Sequence, residues 1–191
     1  NPEEPIPAYI QIDSFSLVQN NDAPAGSLSQ NITDAWVFVD DQMIGIFEIP
    51  VRIPIIASGV HKLTIGPGII VSTISTERVN YPYYTAYIDE NFDFIVGETT
   101  TVKPRVNYRI DEEYEYIVVD DFENAFTNLD TFSTSDAPIL ITQSPELVFE
   151  GRGSGLIEIS ESFSKVYFKT PNTELPSAGS DVYLEMDYYS D

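Results

Sequence analysis

The 191-residue chain contains no cysteine and a single histidine, His61. Thiolate nucleophiles, disulfides and zinc sites built from Cys or several His are therefore excluded, and a histidine-based triad has only His61 to use. What the chain does hold in quantity is carboxylate: 31 Asp and Glu stand against 9 Lys and Arg, a formal charge of −22. Such a surface repels nucleic-acid phosphates, which removes nucleic acid as a partner. Two facing carboxyl groups about 5 Å or 6.5–9.5 Å apart can hydrolyse a glycosidic bond. Neither Asp120 with Glu123 nor Glu185 with Asp187 has a neighbourhood that marks a raised pKa, so a carboxylate-dependent glycan hydrolase is the weaker alternative and a non-enzyme is expected. The run Asp120-Asp121-Phe122-Glu123 suits a different chemistry. Ca²⁺ takes six to eight oxygen ligands, and adjacent acids at a strand end supply several, so Asp120, Asp121 and Glu123 are candidate ligands of a structural calcium, against the plainer reading of a solvated strand end.

Aromatic chemistry concentrates in Tyr81-Pro82-Tyr83-Tyr84-Thr85-Ala86-Tyr87. Exposed rings stack on sugars or anchor protein partners, and strand alternation places Tyr83 and Tyr87 on one face and Tyr84 on the other. These three are the candidate ligand-binding residues; the competing reading packs the cluster in a core or between domains. Gly151-Arg152-Gly153-Ser154-Gly155 has neither the central Ser of a nucleophile elbow nor the third Gly of a dinucleotide loop, and reads as a hairpin. Trp36 shares a strand face with Phe38 and is expected in the core. His61 falls in one face series with Leu63 and Ile65 and is expected to be partly buried and satisfied.

The elements that must position these groups are strands. Val, Ile, Phe and Tyr recur with period 2 between Pro, Gly, Asn and Asp breaks, and no stretch beyond about ten residues carries a 3.6 period, although Phe122 to Leu129 has room for a short helix. Tyr9 to Val18 alternates, shifts phase at Ser14 and reads as a bulged edge strand. Ala35 to Val39 and Met43 to Ile49 flank Asp40-Asp41-Gln42 as a hairpin, and Pro50 and Pro54 confine Val51 to Ile56 to an edge or connector. Val60–Ile65, Ile69–Ile74, Tyr83–Ile88, Phe92–Val96 and Thr99–Tyr108 follow. Residues 1–110 carry six basic and thirteen acidic side chains, whereas residues 111–191 carry three and eighteen, and Arg109-Ile110-Asp111-Glu112-Glu113 marks the expected boundary between two domains. The second part offers strands at Tyr114–Val119, Pro138–Thr142, Glu146–Glu150, Gly155–Ile159, Lys165–Lys169 and Asp181–Tyr188, six where a jelly roll has eight, which leaves its completeness open. No apolar run approaches the roughly 18–20 residues of a membrane-spanning helix.

The segments AWVFVDDQMIGIFEIP and ASGVHKLTIGPGI resemble small envelope β-sandwich domains of the PEGA and carboxypeptidase-regulatory type. The shared elements are a strand ending in Asp (Val39-Asp40), a short turn (Asp41-Gln42), a second strand with Gly45 and a Gly-His strand (Gly59-Val60-His61), over about 35 residues. The Ile- and Pro-rich run from Ile49 to Ile56 departs from that pattern. With its acidic, Pro-rich start the whole chain is similar to surface lipoproteins of Bacteroidetes-type bacteria, which implies a lipid on a Cys preceding that tether. YIVVDDFENAF resembles the first strand of jelly-roll carbohydrate-binding modules, where the acidic strand end helps hold Ca²⁺; that role would fall on Asp120, Asp121 and Glu123. The expectation is thus an all-β protein of two β-sandwich domains, immunoglobulin/transthyretin-like over 1–110 and jelly-roll-like over 111–191. Its implied role is a non-catalytic outer-membrane lipoprotein that binds a glycan or a surface protein, or serves as a structural or adhesion subunit.

Overall fold

A computed structural model of the chain describes residues 5–20, 22, 27–71, 77–110 and 114–190. Asn1 to Glu4 of the expected tether, Pro24-Ala25-Gly26 of the first loop, the end of the expected strand Ile69–Ile74 and Asp111-Glu112-Glu113 of the expected boundary lie outside the described residues. The structure is all-β: among the described residues there are strands, turns and bends and no helix. The chain divides into two compact units, Asn1–Glu115 and Tyr116–Asp191.

In the first unit the strands run in the order β1 (Ala8–Ile12), β2 (Ser16–Leu17), β3 (Asp34–Val39), β4 (Gln42–Glu48), β5 (Val51–Ile55), β6 (Gly59–Ile70), β7 (Arg78–Asn80), β8 (Tyr87–Phe94), β9 (Thr99–Val102) and β10 (Arg105–Val106). A three-stranded sheet has the order β5-β1-β9, with β1 antiparallel to β5 and parallel to β9. The expected bulged edge is therefore a central strand with both sides hydrogen-bonded, followed by a break after which β2 pairs β10. Its phase shift is real: Ile10 and Ile12 are buried before the break and Phe15 and Leu17 after it. A five-stranded antiparallel sheet runs β4-β3-β6, with β7 and β8 sharing the far side of the long β6.

The hairpin β3–β4 turns on Asp40 and Asp41, both at positive φ (48° and 61°), the two-residue geometry that matches strand twist and that Asp tolerates. The core is built from one face of each sheet. Ile10, Ile12, Ile53 and Ile55 in the first sheet, and Val37, Leu63 and Ile65 in the second, are at most 2% exposed. Each such aliphatic side chain contributes about 1.5–3 kcal/mol on burial. On β3 the inward set is Ala35, Val37 and Val39, so Trp36 and Phe38, expected in the core, lie half-buried on the opposite face. The smaller side chains, Ala and Val, take the buried side and the larger rings take the other.

The second unit is held by two short antiparallel ladders, β11 (Asp130–Thr131) with β14 (Phe168–Lys169) and β12 (Leu140–Thr142) with β13 (Ser154–Leu156). The Gly151–Gly155 loop leads into β13, but the partner of β13 is β12 and not the expected strand Glu146–Glu150, so the tight hairpin expected between 146–150 and 155–159 is not formed. Tyr114–Val119, Glu146–Glu150 and Asp181–Tyr188 are not strands, and 122–129 is a series of bends, not a helix. In the last segment Val182, Leu184, Met186 and Tyr188 stand 56–81% exposed. Period-2 alternation makes a segment compatible with a ladder but supplies no partner for it.

Candidate functional site

The chemistry-bearing side chains of the first unit gather at two ends of the five-stranded sheet. At the β3–β4 turn, His61 Nδ1 lies 2.6 Å from Asp40 Oδ2, and His61 Nε2 lies 3.2 Å from the Ser58 carbonyl oxygen. Asp40 also accepts the Lys62 backbone N–H at 3.0 Å, while the Lys62 ammonium meets Asp41 at 3.0 Å and Glu90 at 3.9 Å. The hydrogen bond to Asp40 raises the His61 pKa above its ordinary 6.5, and the same bond lowers that of Asp40 below 3.8. Both ring nitrogens face acceptors, and only the imidazolium donates to both at once. A general base needs a nitrogen free to accept a proton, so His61 is built as the cation of a clasp joining the turn to the β5–β6 connection. Beside it is a groove of about 230 Å³ between β4 and the end of β5, with Ile44, Ile55, Ile56 and Ala57 among its walls and Asp40 and His61 at its lip.

At the other end of β3, Asp34 is fully buried and ion-paired to Arg78, whose other nitrogen donates to Glu48 at 2.9 Å. Thr33 donates to the second Asp34 oxygen at 2.7 Å. The Trp36 indole and Asp34 converge on Gly68: a methyl group there would come within 2.7 Å of Trp36 Nε1 and 2.9 Å of Asp34 Cβ. Among the described residues Trp36 Nε1 is buried with no hydrogen-bond partner, which carries a desolvation cost. Here the buried carboxylate is paired with the Arg78 guanidinium.

The tyrosines do not form an exposed row. Residues 81–86 are a turn carrying one isolated bridge, Tyr84 to Tyr108, and β8 begins only at Tyr87. Tyr84 is 4% exposed; its ring meets Tyr81 at 4.6 Å and Tyr108 at 4.8 Å, and its hydroxyl donates to that of Tyr108 at 3.4 Å. Tyr83 is half-buried against Tyr81 and Tyr114. Tyr87, also half-buried, has its phenol pushed above 10 first by burial and then by Asp89. The expected sharing of a face by Tyr83 and Tyr87 fails because Pro82 and the turn interrupt the alternation that the expectation needed.

The acidic run is likewise consumed by its own loop. Asp120 accepts the Phe122 N–H at 2.8 Å through one oxygen and the Thr127 hydroxyl at 2.6 Å and the Asn128 N–H at 2.5 Å through the other. Asp121 accepts the Glu123 N–H at 3.1 Å. Glu123 turns away to Arg152, accepting its backbone N–H at 2.7 Å and its guanidinium at 3.1 Å, and these bonds lower its pKa. Three carboxylates that share a Ca²⁺ must aim at one point. Among the described residues no group of three or more His, Asp or Glu does so, and the N–H and O–H donors around Asp120 occupy the directions a cation would need. Asp120, Asp121 and Glu123 do not fit the expected calcium.

What the sequence reading missed is the sheet face turned away from the core. Trp36 and Phe38 on β3 are half-buried, while Met43 and Ile46 on β4 and Ile88 on β8 are 49%, 38% and 53% exposed. Their registers, Trp36 with Ile46, Phe38 with Met43 and Thr64 with Ile88, set them on one surface. The available signal was the composition of Met43 to Phe47, apolar on both strand faces when a single core can bury only one. The chain matches no protein-family model, no curated protein and no solved structure.

Proposed function

We propose that this chain is a non-catalytic module that binds a protein partner at the bacterial cell envelope through the outward face of its five-stranded sheet. The observation that carries the proposal is the grouping of Met43, Ile46 and Ile88, all exposed, around the half-buried Trp36 and Phe38, in a chain whose formal charge is −22. Contiguous apolar surface rimmed by charge is the signature of an interface, and aromatic and Met side chains are the types enriched there. The doubly held His61 supports a role outside catalysis. The envelope setting rests on the resemblance of residues 36–68 to envelope sandwich domains and on that of the whole chain to bacterial surface lipoproteins. A glycan-binding reading has less support, because Tyr84 is buried and Tyr83 and Tyr87 are not aligned.

The test is site-specific photocrosslinking in the native cells, with the crosslinker placed at Ile46, at Ile88 and, as a control, at the exposed Lys103. Discrete adducts from the first two positions and none from Lys103 are expected. Equal labelling at all three, or adducts at none, refutes the reading.

A further inference from the structure

The sheets of the first unit end in strands whose free sides differ in chemistry. On β5, Pro54 lacks an N–H to offer and Arg52 is exposed; on β8, Asp89, Glu90 and Asp93 line the edge; β7 is three residues long. These are the devices by which natural proteins keep sheet edges from pairing. β4 carries no charge and no proline over Met43-Ile44-Gly45-Ile46-Phe47 and is interrupted only by the register shift at Ile44, while the other uncharged end strand, β9, is four residues long. β3 pairs one side of β4, and among the described residues no strand pairs the other. The register shift after Val37 leaves Ile44 as the extra residue, 42% exposed and lining the groove of about 230 Å³ against Ile55, Ile56 and Ala57.

We propose that β4 is a strand-addition site: an extended segment of a partner protein pairs with its free edge, places one aliphatic side chain in the Ile44–Ile56 groove, and carries Lys or Arg near its ends. This deepens the partner-binding reading above and rests on it. The charge of the occupant follows from the chain's formal charge of −22 and from the ends of β4, where Asp41 and Glu48, although paired within the chain to Lys62 and Arg78, keep side chains 76% and 71% exposed and open to a second cation. A second copy of this chain suits the site poorly. Two copies of β4 paired antiparallel would set Glu48 of each against the acidic turn of the other, and each copy brings a formal charge of −22. A basic-ended segment meets complementary charge at both ends, while main-chain hydrogen bonds supply affinity and the groove selects the side chain.

The experiment selects peptides from a displayed random library on the immobilised full chain and measures the winners in solution by fluorescence anisotropy. Enriched sequences are expected to alternate apolar residues and to carry Lys or Arg at their ends. Their affinity is expected to fall by about tenfold or more with Ile44→Lys, and equally when alternate peptide amides are N-methylated, a change that leaves the protein untouched. Trp36 fluorescence verifies that the variant is folded. No enrichment, acidic or non-alternating winners, or indifference to N-methylation overturns strand addition. If Ile88→Glu abolishes binding and Ile44→Lys does not, the outward face binds and the edge does not, so the partner-binding reading survives alone. If neither substitution alters binding, both readings fall. A concentration-dependent dimer in sedimentation, abolished by Ile44→Lys, overturns the basic partner in favour of a second copy.

Discussion

Replacing Arg78 with Met isolates the energetics of the buried ion pair. Asp34 is 0% exposed, and Arg78 is its ionic partner; Thr33 offers only a neutral hydroxyl at 2.7 Å. Removing one partner of a buried pair leaves an uncompensated charge and costs about 3–5 kcal/mol. The Arg78 side chain is 29% exposed, so water reaches the site once it is gone and the lower end, about 3 kcal/mol, is expected. The lost contact with Glu48, 71% exposed, adds roughly 0–1 kcal/mol. Domain stabilities are about 5–15 kcal/mol, so this is a large share of the total for the first unit. Trp36, the chain's single tryptophan, sits beside Asp34 over Gly68, and its fluorescence in urea reports that unit's unfolding. With m of about 1–3 kcal/mol/M, the midpoint should fall by roughly 1–3 M. In an Asp34→Asn background the same Arg78→Met change should cost far less, because no buried charge is stranded. A single-variant loss below about 1 kcal/mol, or an equal loss in both backgrounds, refutes the reasoning.

The clasp predicts a pH window. The His61 pKa is raised above 6.5, so its contribution is complete below that value and disappears as pH rises through the folded pKa; that of Asp40 is lowered below 3.8, so its contribution is complete above 3.8 and disappears as pH falls through its folded pKa. The stability difference between the native chain and His61→Gln should therefore be largest between pH 3.8 and 6.5 and decline at higher pH; a difference unchanged from weakly acidic to alkaline conditions contradicts the clasp. Gly68→Ala should destabilise the first unit by about 1–3 kcal/mol in the same urea assay, since the new methyl lands within 2.9 Å of both Trp36 and Asp34; a neutral effect would mean the indole is free to move aside.

Strand character was legible in much of the first unit because it depends on neighbours two residues apart: the alternation of Ala8 to Ile12 and of Asp34 to Val39, the Asp-Asp turn, and the prolines that hold β5 at an edge all act locally, whereas Tyr114–Val119, Glu146–Glu150 and Asp181–Tyr188 alternate without forming strands. The absence of Cys and of a second His likewise bounded the chemistry before any fold was known. Alternation distinguishes two faces of a strand without saying which is inside. That is settled by tertiary packing, which buries Ala35, Val37 and Val39 and leaves Trp36 and Phe38 half-buried on the other face. Ionic partners are chosen the same way: Asp34 meets Arg78 across 44 residues because β3 and β7 flank the same stretch of β6. Acidity alone could not say whether Asp120, Asp121 and Glu123 would converge, and the loop's own N–H and O–H groups claim Asp120 while Arg152 draws Glu123 away. Pairing, burial and the direction a side chain points are non-local quantities, fixed when distant segments compete for the same space, and for that reason only the tertiary structure decided them.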